Sequence, residues 1–85
     1  MSDQPTAAPR PEFAFEVDAT GLTCPLPILR AKKALAQMES GQVLRVITTD
    51  PKATRDFQAF ATQTGNALVA QLAEGTSAHH YLRRR

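Results

Sequence analysis

Reactive chemistry in this chain is concentrated in one tetrapeptide, Cys24-Pro25-Leu26-Pro27, which holds the only cysteine among 85 residues. The tetrapeptide lies between an alternating apolar segment and a segment of helical periodicity, so we expect the thiol at the N-terminal end of a helix. Peptide dipoles and free N–H groups at that end favour an anion, and thiolate is the reactive form of cysteine. The position therefore predicts a lowered thiol pKa and a function carried by one sulfur atom.

The two prolines allow two positions for the start of this helix. If Pro25 is the first helical residue, Cys24 is the N-cap and the Leu26 N–H stays free beside the sulfur. If Pro27 is first, Leu26 is extended, as residues before proline prefer, and Cys24 lies in the loop above the helix. The first start is favoured. A lone cysteine can also be a small buried apolar residue, an alternative that the flanking prolines disfavour.

The sequence shows no second catalytic group next to this cysteine. Asp18 would raise a thiol pKa, and it is better suited to capping the loop through backbone hydrogen bonds. His79 and His80 are adjacent in a predicted strand and point to opposite faces, so no metal site and no cofactor are predicted. A persulfide carrier needs only one accessible, activated thiol, because its partners supply the sulfur and accept it.

Composition limits the chain to one small domain. A single cysteine excludes an internal disulfide and fits a reducing, cytoplasmic setting. No apolar run approaches the roughly 18 residues of a membrane span, and no secretory signal is visible. The formal charge of +2 is mild, and for the basic end at 83–85 a solubilising role is favoured over contact with nucleic acid. Residues 1–12 are predicted to be a flexible tail and residues 13–85 a single domain.

Apolar periodicity predicts a first strand over residues 13–18 and a first helix from Pro25 to about Ser40. In the strand, Phe13, Phe15 and Val17 are expected to face the core. The helix is expected to end at Gly41, because glycine favours the position after a helix.

The second half of the chain continues the alternation of strands and helices. The β-branched run 43–48 predicts a central strand. Asp50-Pro51 predicts the start of a second helix, and Gly65 its end. Strands over 67–73 and 78–83 form a hairpin, with Leu68, Ala70 and Leu72 expected on one side. The order β-α-β-α-β-β predicts an α/β protein of the α+β two-layer type, with a four-stranded mixed sheet and two helices on one face.

Two segments, residues 17–27 and 50–56, resemble the TusA/SirA family of sulfur-carrier proteins. The first segment has the family's Asp, then a Gly, then a Cys-Pro-x-Pro turn at the start of the first helix, and the second has the Asp-Pro helix start. The resemblance runs from about Glu16 to Tyr81. It implies that Cys24 carries a persulfide within a motif that comprises Asp18, Gly21, Pro25, Leu26 and Pro27. Some relatives have a further cysteine in the second helix. Ala61 or its neighbours occupy that region here, which leaves single-cysteine carriage intact.

The resemblance also implies protein partners. The sulfur donor would be a cysteine desulfurase or a rhodanese-type protein, and the acceptor would act in tRNA thiolation, molybdenum-cofactor maturation or sulfur oxidation. Arg30, Lys33 and Arg55 are candidate partner-binding residues, and a merely solvated surface remains the alternative for each. We expect a monomeric sulfurtransferase that works through partners, without direct nucleic-acid binding. Two other functions stay open, a redox regulator that oxidises Cys24 and a nucleic-acid-binding module.

Overall fold

The computed structural model describes residues 10–85 and confirms the predicted order of elements. The bounds are β1 (Phe15–Ala19), α1 (Leu26–Ala36), β2 (Val43–Thr48), α2 (Ala53–Thr64), β3 (Ala67–Glu74) and β4 (Ser77–Arg83). The predicted α+β sandwich is confirmed as well, because the four strands form one mixed sheet and both helices pack on one face of it. Residues 1–9 of the predicted tail lie outside the described residues.

The sheet has the strand order β1-β2-β4-β3, so β2 is central as predicted. β1 and β2 are parallel, whereas β4 is antiparallel to both of its neighbours. The carboxyl ends of parallel strands meet at one edge of a sheet. The loop that carries Cys24 leaves β1 at this edge, and the segment that leads into α2 leaves β2 beside it.

The core fills the space between the sheet and the helices. Alternate residues of β2 face the helices, and Leu44, Val46 and Thr48 are almost completely buried. The helices contribute aliphatic and aromatic side chains to this layer, namely Ala31, Leu35, Ala53, Phe57, Phe60 and Ala61. The buried residues of the second helix thus lie on the side that faces the sheet. Its predicted end at Gly65 is confirmed, and Gly65 has a left-handed φ of 82°.

The first helix is shorter than predicted, because α1 ends at Ala36 and not next to Gly41. The N–H groups of Gln37 and Met38 turn back to carbonyls only three residues away, at 3.0 and 3.1 Å, which tightens and closes the last turn. Arg84 then donates from Nε to the Leu35 carbonyl at 2.7 Å. Gly41, with φ of 91°, forms the turn into β2 instead.

Two of the three side chains of the first strand that were expected to face the core do not face it. Phe13 precedes β1, and its ring lies 6.3 Å from that of Tyr81, on the sheet face away from the helices. Phe15 is level with Leu44 but is 46% exposed, since it begins an edge strand. Only Val17 packs against the core as predicted.

A β-bulge in β3 overturns a further prediction. Leu68 is opposite Leu82 and Ala70 is opposite Tyr81, so Val69 is an extra residue between two consecutive partners. An extra residue reverses the alternation of side chains beyond it. Leu68 therefore faces the helices, whereas Ala70 and Leu72 face the other side of the sheet.

The sheet face away from the helices is crossed by residues 10–13, which we call the N-terminal strap. Arg10 forms an ion pair with Glu74 of β3. The Arg45 guanidinium lies 4.3 Å from the centre of the Phe13 ring. Below this ring Tyr81 has no exposed surface, although both helices pack on the opposite face. The strap thus covers the middle of a face that a two-layer fold would leave open.

Candidate functional site

The loop that carries Cys24 is held at two points by the junction between β2 and α2. The Gly21 N–H donates to Thr49 Oγ1 at 2.9 Å, and the Cys24 N–H donates to Asp50 Oδ2 at 2.8 Å. The other oxygen of Asp50 accepts the Lys52 N–H at 3.0 Å. Because Asp50 makes both bonds, its carboxylate has a fixed position beside the sulfur-bearing loop.

Two motif residues shape the turn out of β1. The Thr20 N–H donates to Asp18 Oδ1 at 3.0 Å. Thr20, through its side chain first and through this N–H second, keeps the pKa of the Asp18 carboxyl below its usual value. Gly21 follows with φ of 81°, a conformation that glycine adopts without a steric cost. The structure thus places Asp18 and Gly21 in the support of the loop, at a distance from the thiol chemistry.

Cys24 precedes the helix N-cap and does not form it, so the favoured start of the helix was wrong. Pro25 is the N-cap, Leu26 the first helical residue and Pro27 the second. The Leu26 N–H, predicted to stay free beside the sulfur, donates to the Thr23 carbonyl at 2.8 Å. This N–H is therefore not available to the sulfur.

The Cys24 thiol is exposed, yet its pKa lies above the ordinary value. The largest cause of the raised pKa is the Asp56 side chain of α2, which favours the protonated thiol. Loss of hydration and the negative charges of Asp56 and Asp50 add to the effect, and Lys52 opposes it. The predicted lowering of the pKa was wrong, because two carboxylates at the start of the other helix outweigh the end of α1.

Asp50 and Asp56 are the site residues that the sequence analysis missed. Asp50 was assigned to the cap of the second helix, but α2 begins after Lys52 without any side-chain cap. A signal was present in the sequence, since Asp50 lies two residues after the end of β2, the strand that is parallel to β1. Parallel strands deliver their carboxyl ends to one edge, which brings the two loops together.

The surface beside the thiol combines apolar and basic side chains. Leu26 and Leu29 of α1 are 45% and 52% exposed, and Arg30 and Lys33 are exposed on the same helix. Positions three, four and seven apart lie on one side of a helix. Arg30 and Lys33 also border a shallow groove between α1 and β1, and we call these four residues the α1 surface. Arg55 is exposed on α2, next to Asp56.

Neither histidine belongs to this site. His80 faces the helices and is buried, whereas His79 faces the other side of the sheet. Within residues 10–85 no three His, Cys, Asp or Glu side chains come together as metal ligands. No helix in the described part of the chain is long and apolar enough to cross a membrane.

An exposed thiol on a small α+β sandwich is the arrangement expected of a carrier domain that meets its substrate on other proteins. The family model described as sulfurtransferase TusA matches residues 15–84. The sulfur carrier protein TusA of Allochromatium vinosum is 56% identical over 73 residues, which cover 86% of this chain and 96% of that relative. The chain belongs to the TusA family, as the motif around Cys24 predicted.

The fold comparison agrees with this assignment. The crystal structure of a SirA-like protein from Desulfitobacterium hafniense matches with a TM-score of 0.74 at 29% identity, covering 82% of this chain and 96% of that one. The names of the relatives support a role as a sulfur carrier, and such a role implies protein partners.

Proposed function

We propose that Cys24 accepts a sulfur atom as a persulfide and passes it to a second protein. The observation that carries this proposal is that the only cysteine of a TusA-family chain is exposed on a loop fixed by two hydrogen bonds. No other thiol competes for the sulfur. The exposed position allows a partner to approach the sulfur atom directly.

Loading is a displacement at sulfur that needs no external oxidant. The Cys24 thiolate attacks the outer sulfur of a donor persulfide, a new S–S bond forms, and the S–S bond of the donor breaks. The donor leaves as a thiolate and takes up the proton that Cys24 has lost. Hand-over repeats the reaction with Cys24 as the leaving thiolate and the acceptor as the nucleophile.

The α1 surface is the proposed docking site for donor and acceptor. Its two exposed leucines offer apolar area next to the sulfur, and Arg30 and Lys33 add positive charge. The partner chemistry that fits is an apolar pocket with carboxylates at its rim. We assign Arg55 to the edge of the same contact, because its side chain is exposed on α2 next to Asp56.

The proposed donor is a cysteine desulfurase or a rhodanese-type protein, and the proposed state of the carrier is a monomer. Acceptors of tRNA thiolation, molybdenum-cofactor maturation and sulfur oxidation are the candidate routes for the sulfur. Presenting the loaded carrier to one acceptor of each class, and following the loss of sulfur from Cys24, distinguishes these routes.

The test is incubation with a cysteine desulfurase and cysteine, followed by intact-mass measurement. We expect the mass to rise by about 32 Da, the mass of one sulfur, and a reducing agent to reverse the gain. The Cys24→Ser variant should show no gain. A matched control, Cys24→Ser with Thr62→Cys, presents one exposed thiol on α2 instead. Equal loading of this control, or any loading of Cys24→Ser alone, would contradict the proposal.

A further inference from the structure

A groove of about 420 Å³ lies between the carboxyl-terminal ends of α1 and α2. Cys24 precedes the opposite end of α1, a helix about 15 Å long, so the groove is a surface separate from the sulfur site. Part of its wall is apolar and consists of Leu35, Ala36 and Phe60. The rest is polar or basic.

Three basic residues line this groove without an acidic neighbour. Lys32 comes from α1, whereas Arg84 and Arg85 follow β4. Within residues 10–85 none of the three forms an ion pair, and no Asp or Glu is part of the lining. A concave surface lined by charges of one sign attracts ligands of the opposite sign. The groove therefore favours an anion.

Arg84 is held against the end of α1. Its Nε donates to the Leu35 carbonyl at 2.7 Å, and its N–H donates to the Gln42 carbonyl at 2.9 Å. The last carbonyls of a helix carry a partial negative charge that would repel an anion, and the Arg84 guanidinium offsets this charge. Lys32 and Arg85 thus remain as the cations that can face a ligand.

Arg85 has a defined position on the α2 side of the groove. Its N–H donates to Asn66 Oδ1 at 3.0 Å, and its carbonyl accepts a hydrogen bond from Arg84 Nη1 at 3.2 Å. Its side chain lies on Gly65, where an added Cβ would be only 3.3 Å from Arg85 Cδ. A solubilising residue needs no such placement, whereas a binding residue that is already ordered loses less entropy when a ligand binds.

We propose that this groove binds a small phosphorylated molecule, with its phosphate group on Lys32 and Arg85 and its organic part against the apolar wall. A phosphate monoester carries close to two negative charges at neutral pH, which matches the two available cations. A guanidinium group also fits the spacing of phosphate oxygens. The volume of the groove is within the range of small-molecule sites and leaves room for more than a free phosphate.

The test is titration with ribose 5-phosphate at neutral pH, followed in ¹⁵N–¹H spectra at constant ionic strength, since salt screens surface charge. We expect the amide resonances of Arg85 and Asn66 to shift and that of Cys24 to stay in place. Inorganic phosphate should shift the same resonances with lower affinity, because it has no organic part for the apolar wall. Ribose should cause no shift. Unchanged Arg85 and Asn66 resonances with ribose 5-phosphate would overturn the proposal.

Neighbouring residues supply matched variants. Lys32→Gln and Arg85→Gln each remove a charge from the groove, whereas Lys33→Gln and Arg83→Gln remove the same charge from exposed residues outside it. An exposed charge pair changes affinity by a factor of about two to five, so the first two variants should weaken binding of ribose 5-phosphate by this factor. The two controls should keep the original dissociation constant. Equal weakening by all four variants would show a diffuse basic surface and contradict the proposal.

Two further ligands test the class of anion. Succinate has two carboxylates and no phosphate, so we expect it to bind more weakly, and binding as tight as that of ribose 5-phosphate would refute the assignment to phosphate. A single-stranded RNA oligonucleotide tests a phosphate backbone as the occupant. If Arg83→Gln weakens RNA binding as much as Arg85→Gln does, and RNA binds more tightly than ribose 5-phosphate, the basic residues form a nucleic-acid surface and the proposal fails. None of these measurements involves sulfur, so their outcome is independent of the proposed function.

Discussion

His80 is a titratable residue with no access to water, and its hydrogen bonds define one protonation state. Gln71 donates from Nε2 to His80 Nδ1 at 3.0 Å, and His80 Nε2 lies 2.8 Å from Thr48 Oγ1. With Nδ1 accepting, the ring proton is on Nε2 and is donated to Thr48. The ring stacks on Phe57 at a centroid distance of 4.6 Å. Burial, with a smaller contribution from His79, lowers the pKa of His80 to about 4.

This neutral histidine predicts a loss of stability in mild acid. The unfolded chain binds a proton near pH 6.5 and the folded chain only near pH 4. Between these values the unfolded state holds more protons, so the free energy of unfolding falls as the pH falls. The contribution is fully present above pH 6.5 and amounts to about 2–3 kcal/mol, lost by pH 4. Urea unfolding at a series of pH values measures it.

The neighbouring histidine serves as the control for this prediction. His79 is on the other face of the sheet, so His79→Gln should retain the acid dependence. The hydrogen-bonded carboxyls Asp18 and Asp50 have pKa values below 3.8 and titrate at lower pH. A free energy of unfolding that stays constant between pH 6.5 and 4 in the original protein would contradict the assignment.

At the scale of the elements, α1 buries one face in the core and exposes apolar side chains at its N-terminal end. Ala31 and Leu35 are buried, whereas Leu26 and Leu29 are about half exposed near Cys24. An exposed pair of leucines adds nothing to the core of this sandwich. The proposed docking of a partner at Cys24 would bury these two side chains.

Replacing Leu29 with serine should therefore weaken partner binding without loss of stability. Burial of the exposed half of a leucine contributes about 1 kcal/mol to binding, which corresponds to an increase of about fivefold in the KM for the carrier in a desulfurase assay. Val69→Ser is the matched control, because Val69 is an apolar residue 40% exposed in the bulge of β3. Equal KM values for the two variants would remove the α1 surface from the docking site.

The sequence predicted some helices and strands correctly and others only in part. The correct predictions depend on local periodicity, whereas the errors depend on contacts between distant segments. β2 and the inner face of α2 follow from local periodicity, and Gly65 ends α2 because glycine accepts a positive φ. The faces of β3 could not be predicted, because the bulge at Val69 is decided by pairing with β4. The end of α1 depends on Arg84, far along the chain.

The functional site shows the same division. Cys24 and its prolines could be identified from a local motif, whereas the electrostatic environment of the thiol could not. That environment comes from Asp50 and Asp56, which the parallel pairing of β1 and β2 brings to the loop. The effect of a helix end on a thiol pKa can be predicted from sequence. Here the charges of residues that tertiary structure brings close have the larger effect on the pKa of Cys24.

At the scale of the whole molecule, the N-terminal strap makes the sandwich locally three layers thick. Phe13 connects Arg45 of β2 with Tyr81 of β4, and Arg10 extends the contact to Glu74 of β3. The strap therefore spans three strands of the sheet. It also covers Tyr81, the aromatic side chain of this face that a nucleic-acid base would need for stacking.

Replacing Phe13 with leucine should destabilise the fold while keeping an apolar side chain in place. The aromatic pair and the cation–π contact are lost together, at a cost of about 1 kcal/mol. Phe15→Leu is the control, since Phe15 is similarly exposed and contacts neither Tyr81 nor Arg45 as an aromatic partner. Urea unfolding compares the two variants, and an equal loss of stability would show that the strap contributes no specific contact.

The two hydrogen bonds that hold the loop also make two amide resonances sensitive to changes near the Cys24 sulfur. The Gly21 amide proton is bonded to Thr49 and the Cys24 amide proton to Asp50. Both acceptors lie in the segment between β2 and α2, whereas both donors lie in the loop after β1. Any rearrangement of charge at Cys24 that shifts Asp50 changes the length of the Cys24 bond, whereas the Gly21 bond reports movement of the loop itself. In an ¹⁵N–¹H spectrum these two resonances would distinguish empty, loaded and docked carrier without a label on the sulfur.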